Sequence, residues 1–361
     1  MTTADVRTRD YTLGSEDAAR AAEIGLANAD WYRTEVPRKV MKELMQRRDG
    51  PALRDTLLWL ALLAGSAAGG IALWGTWWCV PFWAVYGVLY GSACDSRWHE
   101  CGHGTAFRTQ WMNNVVYHIA SFMVVRNPVT WRWSHARHHT DTIIVGRDPE
   151  IACKRPPDKF RLLLGYAGIL DMWEGAVTLG RNALGRISDS EKDYIPQSEW
   201  PKAIAAARVH MAIYAATIVL ALATWSWIPL MLIGLPRLYG CWHMVMTGLI
   251  QHCGLDENVT DHRLNTRTVY MNPISRWIYW NMNYHIEHHM FPMVPYHALP
   301  RLHEVIKDDL PAPNSSILDA YREAVPAIFR QAEDPDYAIR KPLPPTAKPY
   351  QDGPARAESA A

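Results

Sequence analysis

Between Asp55 and Asp95 the chain reads TLLWLALLAGSAAGGIALWGTWWCVPFWAVYGVLYGSAC, residues 56–94, with no Asp, Glu, Lys or Arg in 39 positions. A helix crosses a bilayer with about 20 apolar residues, so this run holds two crossings. Gly75-Thr76 and Trp77-Trp78-Cys79-Val80-Pro81 fall at its middle, where a tight turn belongs, and the tryptophans suit the headgroup layer. A second run, residues 209–255, carries Arg237 as its single charge, and Ser226 and Pro229, near Trp225 and Trp227, mark its turn. The pattern predicts an all-α integral membrane protein with four transmembrane helices in two hairpins, at about 56–75, 78–96, 208–225 and 227–250. Core helices of a soluble protein are the competing explanation, but such helices seldom lack charge over two full crossings. Arg237 has three readings: snorkelling to the interface, pairing with a buried acid, or marking a bend between shorter helices.

Outward from these runs the charge returns. Residues 1–55 hold ten Lys and Arg and residues 96–208 hold fifteen, whereas the two turns hold none. The positive-inside rule therefore places both termini and the long middle segment in the cytoplasm, which an even number of spans satisfies. Residues 1–54 read as a cytoplasmic N-terminal region, loose up to about 30 and then basic and amphipathic on its approach to the membrane. Phe160–Leu184 is helical in pattern but contains Asp171 and Glu174, as an interfacial helix would. From Pro311 nine prolines fall in 51 residues, so 311–361 reads as a Pro-rich region, flexible after about 331. A net charge of +1 argues against nucleic acid as a partner. Six cysteines without a C-x-x-C pair argue against a disulfide scaffold.

Eight of the fifteen histidines gather in three short groups: His99 and His103; His135, His138 and His139; His285, His288 and His289. Residues three and four apart share a helix face, so each group projects its imidazoles in one direction. In the four-span topology all three groups lie at the cytoplasmic face, the minimum geometry for one shared site. His252, in Gln251-His252-Cys253-Gly254 at the end of the fourth span, is a ninth candidate. His243, nine residues earlier and about half a turn off the His252 face, is set aside; His118 and His210 read as core or membrane-facing residues, and His262, His297 and His303 as supporting or structural ones. Neutral imidazole binds Zn, Cu, Fe and Ni, and eight or nine exceed the needs of one tetrahedral ion. Two metals are implied. Glu100, Asp141, Asp148 and Glu287 lie beside these histidines and are candidates to accept their outer N–H groups; solvated or helix-capping roles are the alternative.

His99-x-x-x-His103, His135-x-x-His138-His139 and His285-x-x-His288-His289 resemble the histidine boxes of the membrane fatty acid desaturase/hydroxylase superfamily. So do the four-span layout and the string Asn283-Tyr284-His285-Ile286-Glu287-His288-His289 running into Phe291-Pro292. The resemblance covers residues 55–310, and it implies a membrane domain with a cytoplasmic helical cap carrying the boxes. It also implies a centre of two iron ions that activates O2 and oxidises an unactivated C–H bond, with the eight box histidines and His252 as ligands. An alkyl C–H offers no acidic proton, so a redox metal must carry the chemistry that side-chain acids and bases cannot. Introduction of a double bond into an acyl chain is the expected reaction, with hydroxylase, monooxygenase or ketolase chemistry of the same superfamily as the alternative. The substrate would be an acyl-lipid or acyl-thioester.

His99-Glu100-x-x-His103 also matches the H-E-x-x-H signature of zinc metalloproteases, with Glu100 as general base, but that reading leaves the other two groups without a role. No haem-binding or iron–sulfur pattern accompanies the boxes, so electrons would come from a separate ferredoxin, rubredoxin or cytochrome. Arg126, Arg132, Arg137 and the stretch from Lys154 to Arg161 offer positive charge for an acidic carrier or for anionic membrane lipid. Trp131 and Trp133 are candidates for shaping substrate access, or anchors at the interface.

Overall fold

The computed structural model describes residues 9–353. The described chain is helical, and two isolated bridges, Thr268–Tyr284 and Val269–Asn314, are its only β pairings. Two short helices, α1 (Glu16–Glu23) and α2 (Arg38–Leu44), precede α3 (Asp49–Ala72), the first long apolar helix. Asp49, in the first turn of α3 where the helix dipole favours an anion, accepts hydrogen bonds from the Thr109 backbone N and Oγ1 at 2.9 and 2.7 Å. The chain reverses at Gly75 (φ +87°), with Trp77 and Trp78 exposed, and returns as α4 (Cys79–Gly91). Close packing of this hairpin depends on missing side chains. A Cβ on Gly69 would collide with the Phe82 ring, and one on Gly70 would lie 2.7 Å from Trp83.

At Ser92 the chain passes into α5 (Ala93–Gly102), followed by α6 (Gln110–Met123) and α7 (Pro128–Thr140). Asn127 caps α7, accepting from the backbone N–H groups of Val129 and Thr130, and Pro128 starts the helix where no N–H is needed. The interfacial helix expected over 160–184 is instead two, α8 (Lys159–Gly165) and α9 (Ile169–Ala183), bent by 80° at Gly168 (φ +66°). After α10 (Asp189–Tyr194) comes α11 (Trp200–Ala223), the second long apolar helix. The continuous helix expected over 227–250 is three pieces: α12 (Ile228–Leu232), α13 (Pro236–Gly240) and α14 (Trp242–Leu249). Pro229 and Pro236 open the first two pieces and cannot continue a preceding helix, and Gly234 between them is left-handed (φ +91°).

Among the described residues two helical stretches are long and apolar enough to cross a membrane, 38–72 and 197–223, or three if the bent α8–α9 pair counts as one. Both turn their apolar residues outward, with Leu57, Leu58 and Leu60 exposed on α3 and Val219, Leu220 and Leu222 on α11. A surface of this kind marks contact with lipid or another protein.

The broken helices cross α4 at backbone distance. A Cβ on Gly240 would collide with the Gly87 carbonyl, and one on Gly91 would lie 2.6 Å from the Pro236 oxygen. Ser92 bridges the crossing, its Oγ donating to Gly240 O at 2.6 Å and accepting from Met244 N at 2.9 Å. Arg237 sits in this crossing, fully buried, and it combines the bend reading with pairing to an acid, although that acid, Asp171, is half-buried rather than buried. It marks a break between short helices, and its Nε and Nη2 donate to Asp171 Oδ2 of α9 at 2.9 and 2.6 Å. Arg126 joins the same network through Asp95, at 2.8 Å, and Asp171.

The remaining helices are α15 (His262–Asn265), α16 (Pro273–Ile278), α17 (His285–Met290), α18 (Leu299–Ile306) and α19 (Ile317–Glu333), the last meeting α8 and α14 through Tyr321, which contacts the Tyr166 hydroxyl and donates to the Met246 carbonyl. Both ends of the described chain make fixed polar contacts with the body. Within the N-terminal region expected to be loose, Arg9 pairs with Glu257 at 2.9 Å, and Tyr11 donates to the same carboxylate at 2.7 Å. Of the segment expected to be a flexible tail, residues 334–353 are laid along the 254–263 region, and residues 354–361 lie outside the described residues. Ile339 N donates to Gly254 O, the Arg263 guanidinium donates to the carbonyls of Lys348 and Pro349, and Gln351 N donates to Asp261. Proline-rich chain lacks internal hydrogen bonds, and here fixed polar partners on the body supply them.

Candidate metal centre

α5 presents His99 and, at its C-terminal end, His103; α7 presents His135, His138 and His139; the six-residue α17 presents His285, His288 and His289. His252 comes from the turn after α14. The structure brings all nine together. Ligating atoms of His99, His103, His135, His139 and His288 lie within 4.8 Å of one another, and so do those of His138, His252 and His289. His285 joins the second group, its Nε2 lying 3.1 Å from that of His289. The two groups adjoin where the rings of His139 and His289 are 4.5 Å apart.

The inner nitrogens face one another. Nε2 of His135 is 3.1 Å from Nε2 of His103 and 3.2 Å from that of His139, which in turn is 3.2 Å from that of His288. Several outer nitrogens are held from behind: His135 Nδ1 by Glu150 at 2.9 Å, His138 Nδ1 by Asp148 at 2.8 Å, and His252 Nδ1 by the Asn265 carbonyl at 2.8 Å. His285 Nδ1 meets Gln251 at 3.2 Å, and His289 Nδ1 meets the Thr142 hydroxyl at 3.3 Å. Burial drives the imidazoles toward the neutral form. It holds His99, His135, His139, His285, His288 and His289 well below the ordinary histidine range, His103 at about 4 and His252 at about 3. Burial opposes protonation of His138 as well, but the adjacent Asp148 carboxylate outweighs it and raises this one group.

Neutral imidazoles whose inner lone pairs converge, with a buried His252 Nε2 lacking any hydrogen-bond partner, form a donor set that fits metal ions. Two groups, of five and of four, fit two ions.

Of the four acids named as supports, Asp148 alone touches a cluster imidazole. Glu100 is buried and turned away, accepting from Thr105 Oγ1 at 2.6 Å and Tyr296 N at 3.0 Å, and burial raises it to about 7. That orientation removes it from the general-base position of the protease reading. Asp141 pairs with Arg137 and Arg147, and Glu287 with His303 and Thr268. Glu150 escaped sequence reasoning although it stands two residues beyond Asp148 in Asp148-Pro149-Glu150.

Trp131 lines a cavity of about 80 Å³ together with Trp98, His99, His103, Tyr117 and His135, whereas Trp133 is outside it and partly exposed. Arg126 is occupied by Asp95 and by the rings of Trp131 and Trp98, and Arg137 by Asp141, so neither offers free charge to a carrier. Trp31, in the segment before α2, covers the centre from the N-terminal side. Its ring stacks on His262 (4.3 Å, 9°), which lies 5.1 Å from the His289 ring, and its Nε1 donates to Thr140 O at 3.1 Å.

A family model for fatty acid desaturases matches residues 75–320. The chain is 24% identical over 305 residues to an sn-1 oleoyl-lipid 12-desaturase of Synechocystis sp., an alignment covering 78% of this chain and 83% of that protein. It is 34% identical over 80 residues to an endoplasmic-reticulum omega-6 fatty acid desaturase of Glycine max, covering 21% and 20% of the two chains. Over 96 residues it is 31% identical to an sn-1 acyl-lipid omega-3 desaturase (ferredoxin) of Synechocystis sp., 26% of each chain. The chain belongs to the fatty acid desaturase family, as a membrane oxidoreductase with a histidine cluster able to bind metal.

Proposed function

We propose that this member of the fatty acid desaturase family introduces a double bond into the acyl chain of a membrane lipid, using O2 and two irons. The observation that carries the reading is the convergence of nine imidazoles in groups of five and four, all but His138 held toward the neutral form by burial. His99, His103, His135, His139 and His288 would hold one iron, and His138, His252, His285 and His289 the other. Bound there, the irons supply reduction of O2 and the oxidising power to remove hydrogen from adjacent methylenes. The overall balance is –CH2–CH2– plus O2, two electrons and two protons giving –CH=CH– and two waters. The chain's own part is to position and to exclude. Asp148 and Glu150 fix the rings of His138 and His135 from their outer nitrogens and offset the positive charge of an all-imidazole centre. Trp31 over His262 shuts bulk water out on the N-terminal side.

Residues 55–310 form the catalytic membrane unit in this reading. α3, α4 with the start of α5 up to about residue 96, α11 and α12–α14 make four crossings, and both termini and the histidine-bearing cap, which begins at His99, face the cytoplasm. The Lys and Arg distribution supports that orientation. Electrons come from a separate one-electron carrier such as a ferredoxin, the donor printed in the name of one relative.

Metal analysis of detergent-purified protein, followed by lipid profiling of expressing cells, tests the reading. Two irons per chain and a new acyl double bond are the expected result. A hydroxylated product would overturn desaturation, and zinc retained after iron reconstitution without O2 consumption would overturn the centre.

A further inference from the structure

α2 carries an unassigned site. Arg38, Met41, Lys42 and Met45 recur at helical spacing and share one face, and that face forms a groove of about 520 Å³ with Val36 and Phe291. Half-buried Val36, Met41 and Phe291 form an apolar floor, and the exposed residues around it are Met45 and two cations, Arg38 and Lys42. Among the described residues neither Arg38 nor Lys42 has an ion-pair partner. The acids nearest in sequence are already engaged, Glu35 by Lys348 and Glu43 by Arg301. The groove is shallow and open to its surroundings along the outer face of α2. Four residues beyond Met45 begins α3, the long apolar helix, so the groove stands where the chain meets the membrane surface.

We propose that this groove binds an anionic phospholipid. The phosphodiester sits between the Arg38 guanidinium and the Lys42 ammonium, and the first methylenes of an acyl chain lie against Met41, Met45 and Phe291. Two cations one helical turn apart above an apolar floor match an anion joined to an alkyl chain. A free inorganic anion would use only the rim, and an acidic protein surface would leave the floor unfilled. The site is independent of the reaction at the histidine cluster.

The test uses the full-length protein in detergent, titrated with phosphatidylglycerol and separately with phosphatidylcholine, with bound lipid counted by native mass spectrometry. Each surface cation contributes about fivefold to binding an anionic lipid, so R38Q/K42Q should bind phosphatidylglycerol about 25-fold more weakly, with phosphatidylcholine unchanged. Met45→Glu should weaken phosphatidylglycerol as well, through the lost apolar contact. Lys39→Gln removes a cation of the same helix that lies outside the groove, and should leave binding within about twofold. Unchanged phosphatidylglycerol binding in R38Q/K42Q overturns the proposal, as does an equal loss in Lys39→Gln, which would mean diffuse surface charge. Intact lipid binding in R38Q/K42Q with lost reduction by an acidic carrier protein also overturns it, in favour of a protein-docking surface. Thermal melting of each variant separates these results from misfolding.

Discussion

Asp148 Oδ2 stands 2.8 Å from His138 Nδ1 and 2.7 Å from the backbone N of Ile143, so one buried carboxylate oxygen fixes both an imidazole and the loop leaving α7. The other oxygen accepts from Glu150 N at 2.8 Å, and Glu150 in turn holds His135. Two acids two residues apart thus orient one histidine in each of the two groups.

Asp148→Asn keeps the shape and loses the charge. Outer-shell partners of metal-bound histidines are worth about 10–100-fold in metal affinity or activity, so iron retention against a chelator should fall by that order. Glu150→Gln should act in the same direction. Retention equal to wild type in both would show that neither acid supports the centre.

His138→Ala and His288→Ala each remove an inward imidazole, one from each group. Iron content and desaturation should be lost together while the chain stays membrane-inserted. Turnover in either variant would dissolve the shared centre.

Arg237→Met takes from Asp171 its closer partner at the α4–α13 crossing and leaves it only Arg126, at 3.5 Å. Breaking a buried pair from one side costs about 3–5 kcal/mol. Asp171 is one-third exposed, which puts the loss near the lower end. Pairing Arg237→Met with Asp171→Leu should recover part of the melting temperature, and a double variant no better than the single would refute the coupling.

Gly240→Ala drives a methyl into the Gly87 carbonyl and should abolish folded protein, whereas Gly180→Ala on α9 meets open space and should be neutral or slightly stabilising. Size-exclusion profiles of the two variants give the comparison directly.

Removal of residues 334–361 strips Arg263 of the Lys348 and Pro349 carbonyls and leaves Arg263 and Asp261 to each other and to Asp309. A lowered melting temperature is expected. An unchanged one would return the tail to the passive role its composition suggested.

The histidine groups were legible because short-range helical spacing is enough to aim imidazoles along one face, as at His135, His138 and His139. Asp148 was legible by nearness to its partner. Glu150 was not, since the backward reach that puts it on His135 belongs to the loop after α7 and to no periodicity. Charge-free runs announced apolar helices, but a hydropathy pattern does not register a left-handed Gly234 or the collision that forbids a side chain at Gly240. Arg237 was visible as an anomaly. Its partner lay 66 residues away in a segment read as interfacial, so only the fold joined them.

The outer nitrogens of His99, His139 and His288 are buried without partners, and the inner nitrogens of the cluster crowd one another at about 3.1 Å. Emptied of metal, such an interior is a costly polar void at the junction of α5, α7 and α17. In the proposed reading the native state would owe part of its free energy to bound ions, because the unfolded chain would not bind them equally well. With the two irons proposed above, metal supply in a cell would govern how long each molecule survives quality control as well as how fast it turns over. Scarcity would be read out as protein abundance.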